Sequence, residues 1–202
     1  MVAMLEKNLK TYIENQKDNV IILCKQELAY MERHKDFFKD AVNQKEIVEK
    51  EGTARFANAA IERCSKETDE TLAVETAAFL NEPVIYLKKH RKEYVYIVSD
   101  WFGIIGVDGI ALELDDVFGH YNCMLGLKVQ KKYGPAIQTG LSELLEGDGK
   151  GEILFDGNEG IWDVNFPLND VPGFREEMPL MEAFVKIYEV LFALQEKLEK
   201  MS

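Results

Sequence analysis

The chain has 202 residues, of which 47% are hydrophobic, 10% aromatic and 30% charged, with a formal net charge of −12. That composition is globular rather than disordered, and a chain this long buries roughly 70% of its unfolded surface without a disulfide or metal staple. So acidic a surface repels phosphate backbones and argues against nucleic acid as a partner.

The simplest organisation is one domain over 1–202, with residues 1–50 as a helical N-terminal extension packing on it. Residues 1–100 carry 16 Lys+Arg against 18 Asp+Glu, and residues 101–202 carry 8 against 18, so the excess acid sits in the second half. Such charge serves solubility first. Cys24, Cys64 and Cys123 are odd in number and far apart, with no C-x-x-C pair. This argues against a disulfide framework or structural zinc and for a reducing cytoplasm. MVAMLEKNLK lacks the apolar run of a signal peptide.

In chain order, residues 4–16 and 22–39 read as amphipathic helices, although Val20, Ile21 and Ile22 also suit a short strand over Asn19–Cys24. A helical pattern is expected from Ala54 to Leu80, its stripes Phe56–Cys64 and Leu72–Leu80 separated by a polar centre that is either a break or a solvated middle. Asn81-Glu82-Pro83 opens a short helix to about His90. Lys88, Lys89, His90, Arg91 and Lys92 then complement its dipole, or grip a phosphate or carboxylate.

Tyr94–Val98 reads as a buried strand. The window Tyr94–Leu114 is the most hydrophobic, yet it holds Asp100, Asp108 and Glu113. Each ionised group would cost about 2.5–3.5 kcal/mol in a bilayer, so the window is core and no membrane is implied. Gly103, Gly106 and Gly109 match no phosphate loop and read as turns.

A helix is expected over 110–132. On it Glu113, Asp116, His120 and Cys123, spaced i, i+3, i+7 and i+10, would fall within an arc of roughly 80°. Glu113, Asp116 and His120 are then candidate metal ligands, and Asp116, His120 and Cys123 candidate catalytic groups: an oriented imidazole base and a thiol nucleophile. The plainer alternative is an Asp116–His120 pair at the edge of a buried face, with Cys123 as a core residue. Asp100 and Asp108 are the nearest further ligands in sequence.

After Gly134-Pro135 a helix to about Leu145 is expected. Glu152–Phe155 and Ile161–Phe166 then form a hairpin across Asp156–Gly160, a turn without the spacing of a calcium loop. Leu180, Phe184, Ile187, Leu191, Leu194 and Leu198 recur at 4-3-4-3-4, and Met181, Tyr188 and Phe192 widen that stripe, so a final helix over 179–199 packs on the core rather than on a coiled-coil partner. His34, within Glu32-Arg-His-Lys, reads as solvated.

WFGIIGVDGIALELDDVFGHYN (101–122), LGLKVQKKYG (125–134) and GIWDVNFPLNDVPGF (160–174) resemble a group of short bacterial proteins often labelled branched-chain aminotransferase. The resemblance covers roughly residues 50–200 and carries no catalytic residue across. It implies no secure activity: pyridoxal-phosphate chemistry needs a Schiff-base lysine, a ring-nitrogen partner and a phosphate cup. No lysine here stands in such a context, and no motif implies a cofactor.

The expected fold is therefore α+β: a small antiparallel sheet of strand 94–98 and hairpin 152–166, covered by amphipathic helices including 110–132 and 179–199. The expected function is a non-enzymatic cytoplasmic binding or regulatory protein with a protein partner or a homodimer. The alternative is a metal-assisted hydrolase using the 113–123 helix face.

Overall fold

Leu5, Leu9 and Ile13, four residues apart, turn one apolar stripe inward and make residues Met4–Asn15 a helix, α1. The computed structural model describes residues 4–16, 19–147 and 151–201. Its β-branched run Val20–Cys24 is strand β1, and the helix expected over 22–39 starts only at Lys25. Helices α2 (Lys25–Arg33) and α3 (Lys35–Phe38) carry the chain to β2 (Glu46–Lys50), which pairs with β1 in parallel. Parallel pairing needs such a crossover, since a tight hairpin reverses direction.

The expectation for residues 54–80 fails. Gly52–Phe56 is a short 3-10 turn, followed by strands β3 (Ala60–Ser65) and β4 (Thr71–Glu75) and a second 3-10 turn at Ala77–Asn81. The polar centre is a hairpin turn, in which Asp69 takes a left-handed conformation at φ 56°. Helix α4 is one turn, Tyr86–Lys89, and β5 is Glu93–Val98, as the aromatic and β-branched run predicts.

The helix over 110–132 is absent as well. After the single turn α5 (Phe102–Ile105), strands β6 (Val107–Leu114) and β7 (Tyr121–Leu127) form a hairpin. Ile110, Leu112 and Leu114 on one strand, and Tyr121, Cys123, Leu125 and Leu127 on the other, all point to the core at period two. Gly119, at φ 70°, turns the chain between them. Helix α6 (Gly134–Leu144), strands β8 (Glu152–Asp156) and β9 (Ile161–Pro167) and the long α7 (Leu180–Lys200) follow as the sequence indicates.

Strands β3 to β9 make one antiparallel sheet in the order β4-β3-β5-β6-β7-β9-β8, so strand 94–98 and hairpin 152–166 belong to a sheet of seven strands rather than a small one. The fold is mixed α+β. One sheet face carries rows such as Val95, Leu112, Cys123 and Phe166, all buried in the cluster that also holds Leu5 and Leu9 of α1 and Phe184, Ile187 and Leu191 of α7. The heptad-spaced residues of α7 are all buried within this chain. The other face presents Val74, Glu62, Tyr96, Ala111, Met124, Asn165 and Glu152 in register, all half-buried or exposed. No described helix is long and apolar enough to cross a membrane.

Candidate functional site

With the 110–132 helix gone, the four residues it would align are distributed around a hairpin. Glu113 is the last residue but one of β6, Asp116 and His120 lie in the exposed turn, and Cys123 is enclosed in the core on the opposite sheet face from Glu113. Burial pushes the Cys123 thiol up, the reverse of what a thiolate nucleophile needs. Glu113 and Asp116 do converge, but on a cation of the chain itself. The Lys66 Nζ sits 3.6 Å from one carboxylate and 3.8 Å from the other, and Arg91 reaches Asp116 at 3.8 Å.

The turn is organised by Asp115, whose Oδ1 accepts the Val117 and Phe118 amides at 2.7 and 2.8 Å. Those bonds hold its carboxyl below the ordinary value. The His120 ring lies beside Phe118, with centroids 6.4 Å apart. Among the described residues no group of three or more His, Cys, Asp or Glu is placed to hold a metal ion.

Other singled-out residues are also accounted for locally. Asp108 pairs with Lys128, Lys88 with Glu176, and His90 Nδ1 lies 3.5 Å from Glu93. His34 is not simply solvated: its Nδ1 meets Glu6 at 2.7 Å and its ring stacks on Tyr30 at 4.3 Å. The Asp156–Gly160 loop is a hairpin turn closed by Gly160 N–H donating to the Asp156 carbonyl at 2.8 Å.

A larger constellation gathers where α1 crosses the loop after β5. A cleft of about 850 Å³ lies there, lined from α1 by Asn8, Thr11, Tyr12 and Asn15, and from the following turn by Gln16. Across it stand Ser99, Asp100 and Trp101, and Lys50, Arg55 and Asn58 are among the other residues that line it. The volume falls in the range of small-molecule sites, roughly 300–1,000 Å³.

The wall is held by named bonds. Tyr12 and Trp101 rings meet at 4.8 Å, and Asn8 Nδ2 donates to the Ile104 carbonyl at 3.3 Å. The Ser99 hydroxyl donates to the Arg55 carbonyl at 2.5 Å and accepts the Trp101 amide at 3.3 Å. Gln16 Oε1 accepts the Ile22 amide at 3.1 Å, while its Nε2 is buried with no acceptor among the described residues. Burial, with Glu27 and Asp100 adding to it, pushes the Tyr12 phenol up, so it is a neutral hydroxyl at physiological pH.

Behind Trp101 lies a buried ion pair. The Arg55 guanidinium sits 5.7 Å from the Trp101 ring and 4.1 Å from the Tyr188 ring. Its Nη2 donates to Glu27 at 2.9 and 3.0 Å and to Gln26 at 2.8 Å, and its Nε to Glu27 at 3.2 Å. Burial opposes the charge on Arg55, and Glu27 overcomes it, holding the guanidinium above its ordinary value. Trp101 is thus pinned between the cleft and a fixed charge.

Of these cleft residues the sequence reading names only Asp100, and for another role. A signal was nevertheless present: Asn8, Thr11, Tyr12, Asn15 and Gln16 recur at helical spacing as an uncharged polar stripe, where a merely solvated face would carry Lys and Glu. A second depression, of about 680 Å³, lies on the open sheet face around Tyr96, Asp108, Gly109, Met124 and Asn165. No protein-family model, curated protein or solved structure matches this chain.

Proposed function

We propose that the protein is a non-enzymatic binding or regulatory protein that takes a small, neutral or zwitterionic polar molecule in the cleft between α1 and the Ser99–Trp101 loop. The observation that carries this reading is the meeting of the amide and hydroxyl stripe of α1 with Asp100 and Trp101 across one cleft. Side-chain amides present both donors and acceptors. Asp100 and Lys50 supply one charge of each sign, and the Tyr12–Trp101 pair offers an aromatic surface to the ligand's apolar part. The three free, buried thiols support a reducing compartment such as the cytoplasm, and the net charge of −12 disfavours a nucleic-acid ligand.

Thermal unfolding of the full chain against a panel of amino acids, sugars and nucleosides tests the proposal. A ligand at a hundred times its Kd adds about 2.7 kcal/mol to the folded state. The expected result is a stabilising compound whose effect disappears in Asp100→Ala and Asn15→Ala, both exposed positions whose unliganded melting should stay within about 0.5 kcal/mol of the parent. A panel without a stabilising compound, or stabilisation indifferent to both substitutions, refutes it.

A further inference from the structure

We infer that the depression on the open sheet face is a second ligand site, which holds the ammonium group of a small primary amine with an apolar tail. This inference is independent of the cleft. Strand β9 turns Trp162, Val164 and Phe166 into the core, so Asp163 and Asn165 between them face the depression. On β8, Glu152 stands directly opposite Asn165, and Leu154 opposite Asp163. Glu152 and Asp163 are therefore diagonal neighbours, about 7–8 Å apart, and Asn165 adjoins both. Each carboxylate is exposed, and among the described residues neither has an ion-pair partner. Asp108, the third carboxylate of the lining, is already matched by Lys128.

The occupant follows from the chemistry of the lining. No Lys, Arg or His lines the depression. Asn165 Oδ1 is buried, yet it accepts no hydrogen bond from any described residue, and an acceptor left in that state calls for a donor. Three acceptors, two of them charged, thus stand together at one end. An alkylammonium carries three N–H donors and no acceptor, which matches them. A bare divalent cation such as calcium takes six to eight oxygen ligands, whereas the rest of the surface is the Tyr96 ring and the side chains of Met124, Leu154 and Ile161. Those groups suit a hydrocarbon tail. Gly109 and Gly126 leave it room: a Cβ on Gly126 would already stand 3.0 Å from Ile161 Cδ1. The volume of about 680 Å³ lies in the small-molecule range.

Titration of the full chain with n-hexylamine, followed by the backbone amide signals in NMR, tests this. The signals of Gly126, Asp163 and Asn165 should shift together and saturate. Hexyltrimethylammonium keeps the charge and the tail but has no N–H, and n-hexanol keeps the tail without the charge. Each should bind about tenfold more weakly or worse. Asp163→Asn should weaken hexylamine by about fivefold, whereas Glu67→Gln in the exposed β3–β4 turn should leave it unchanged. Should Asp163→Asn lose its native circular dichroism, the comparison of the three probes on the parent decides. Nα-acetyl-lysine amide presents the same ammonium on a peptide, and binding no tighter than that of hexylamine supports a small amine. Four results overturn the inference: no saturable shift at these residues, equal binding of the quaternary cation, displacement of the amine by calcium chloride, or a lysine amide bound about tenfold tighter than hexylamine, which would make the site a reader of protein lysines.

Discussion

Arg55 and Glu27 form an ion pair at 2.9 Å with both side chains fully buried, joining the 3-10 turn after β2 to the first turn of α2. Glu27 does more than neutralise Arg55: its Oε2 also accepts the Cys24 amide at 3.2 Å, closing the N-terminus of α2. A buried pair of this kind contributes little net stability compared with apolar packing, but removal of one member strands the other in a low-dielectric interior. Arg55→Met is therefore expected to cost about 3–5 kcal/mol in urea denaturation. The double variant Arg55→Met, Glu27→Met should recover most of that loss. Additive losses in the double-mutant cycle would show that the two residues act separately.

Alkaline pH is expected to weaken the fold well before general base denaturation. Burial, the largest cause, pushes the Cys24 thiol from 9.0 up to about 11, and burial likewise raises the phenols of Tyr30, Tyr121 and Tyr188. An acid whose pKa is raised in the folded state keeps its proton while the unfolded chain releases it. The stabilisation is fully present below the unfolded value and falls as pH climbs from about 9 to 11. Urea midpoints measured across that window should decline steadily, and Cys24→Ala should flatten the first part of the decline. A constant midpoint across the window would contradict the assignment.

Tyr96 lies over the backbone of Gly109, at the irregularity where the β6–β7 register shifts between Val107 and Ile110. A Cβ on Gly109 would stand 2.2 Å from the Tyr96 hydroxyl oxygen and 2.4 Å from its Cζ, far inside contact distance. Gly109→Ala should therefore cost about 1–3 kcal/mol through overpacking. The same substitution in a Tyr96→Ala background should be markedly milder, a coupling that denaturation of the four proteins would measure directly. Equal costs in both backgrounds would place the ring elsewhere.

Legibility in the sequence followed the physics of each segment. Helix α7, helix α6, strand β5 and the β8–β9 hairpin were readable because apolar period, flanking Gly or Pro and length agree there. Residues 110–132 misled because attention to Glu113, Asp116, His120 and Cys123 selects a helical spacing. The apolar residues Ile110, Leu112, Leu114, Tyr121, Cys123, Leu125 and Leu127 instead alternate at period two around Gly119. Residues 54–80 misled through small apolar side chains that suit either period, and Ile61 is fixed in the sheet by β5, a partner more distant in sequence than the β3–β4 hairpin itself. The cleft was the least legible feature, since it depends on Trp101 and Asp100 meeting α1, a contact between segments about 90 residues apart that no local pattern encodes.

Trp162 offers the sharpest check on how the sheet meets α6. It is 9% exposed and pairs across the sheet with Leu127 and Phe155, and the Phe155 ring stands against it edge-on at 5.1 Å. The indole also fits against the start of α6 so closely that a Cβ on Gly134 would lie 2.5 Å from its Cη2. Loss of that volume should make Trp162→Ala cost about 3–5 kcal/mol, a large share of the roughly 5–15 kcal/mol that holds a domain folded. The indole Nε1, however, is buried with no hydrogen-bond acceptor among the described residues, a desolvation cost that phenylalanine would not bear. Trp162→Phe should accordingly lose less than about 1.5 kcal/mol, because it keeps an aromatic ring against Gly134 and Phe155 and deletes the orphaned donor. Urea denaturation of the two variants separates volume from polarity. A Trp162→Ala loss below about 1 kcal/mol would mean that the ring is surface rather than core, and a Trp162→Phe loss as large as that of Trp162→Ala would mean that the Nε1 proton has a partner in solution.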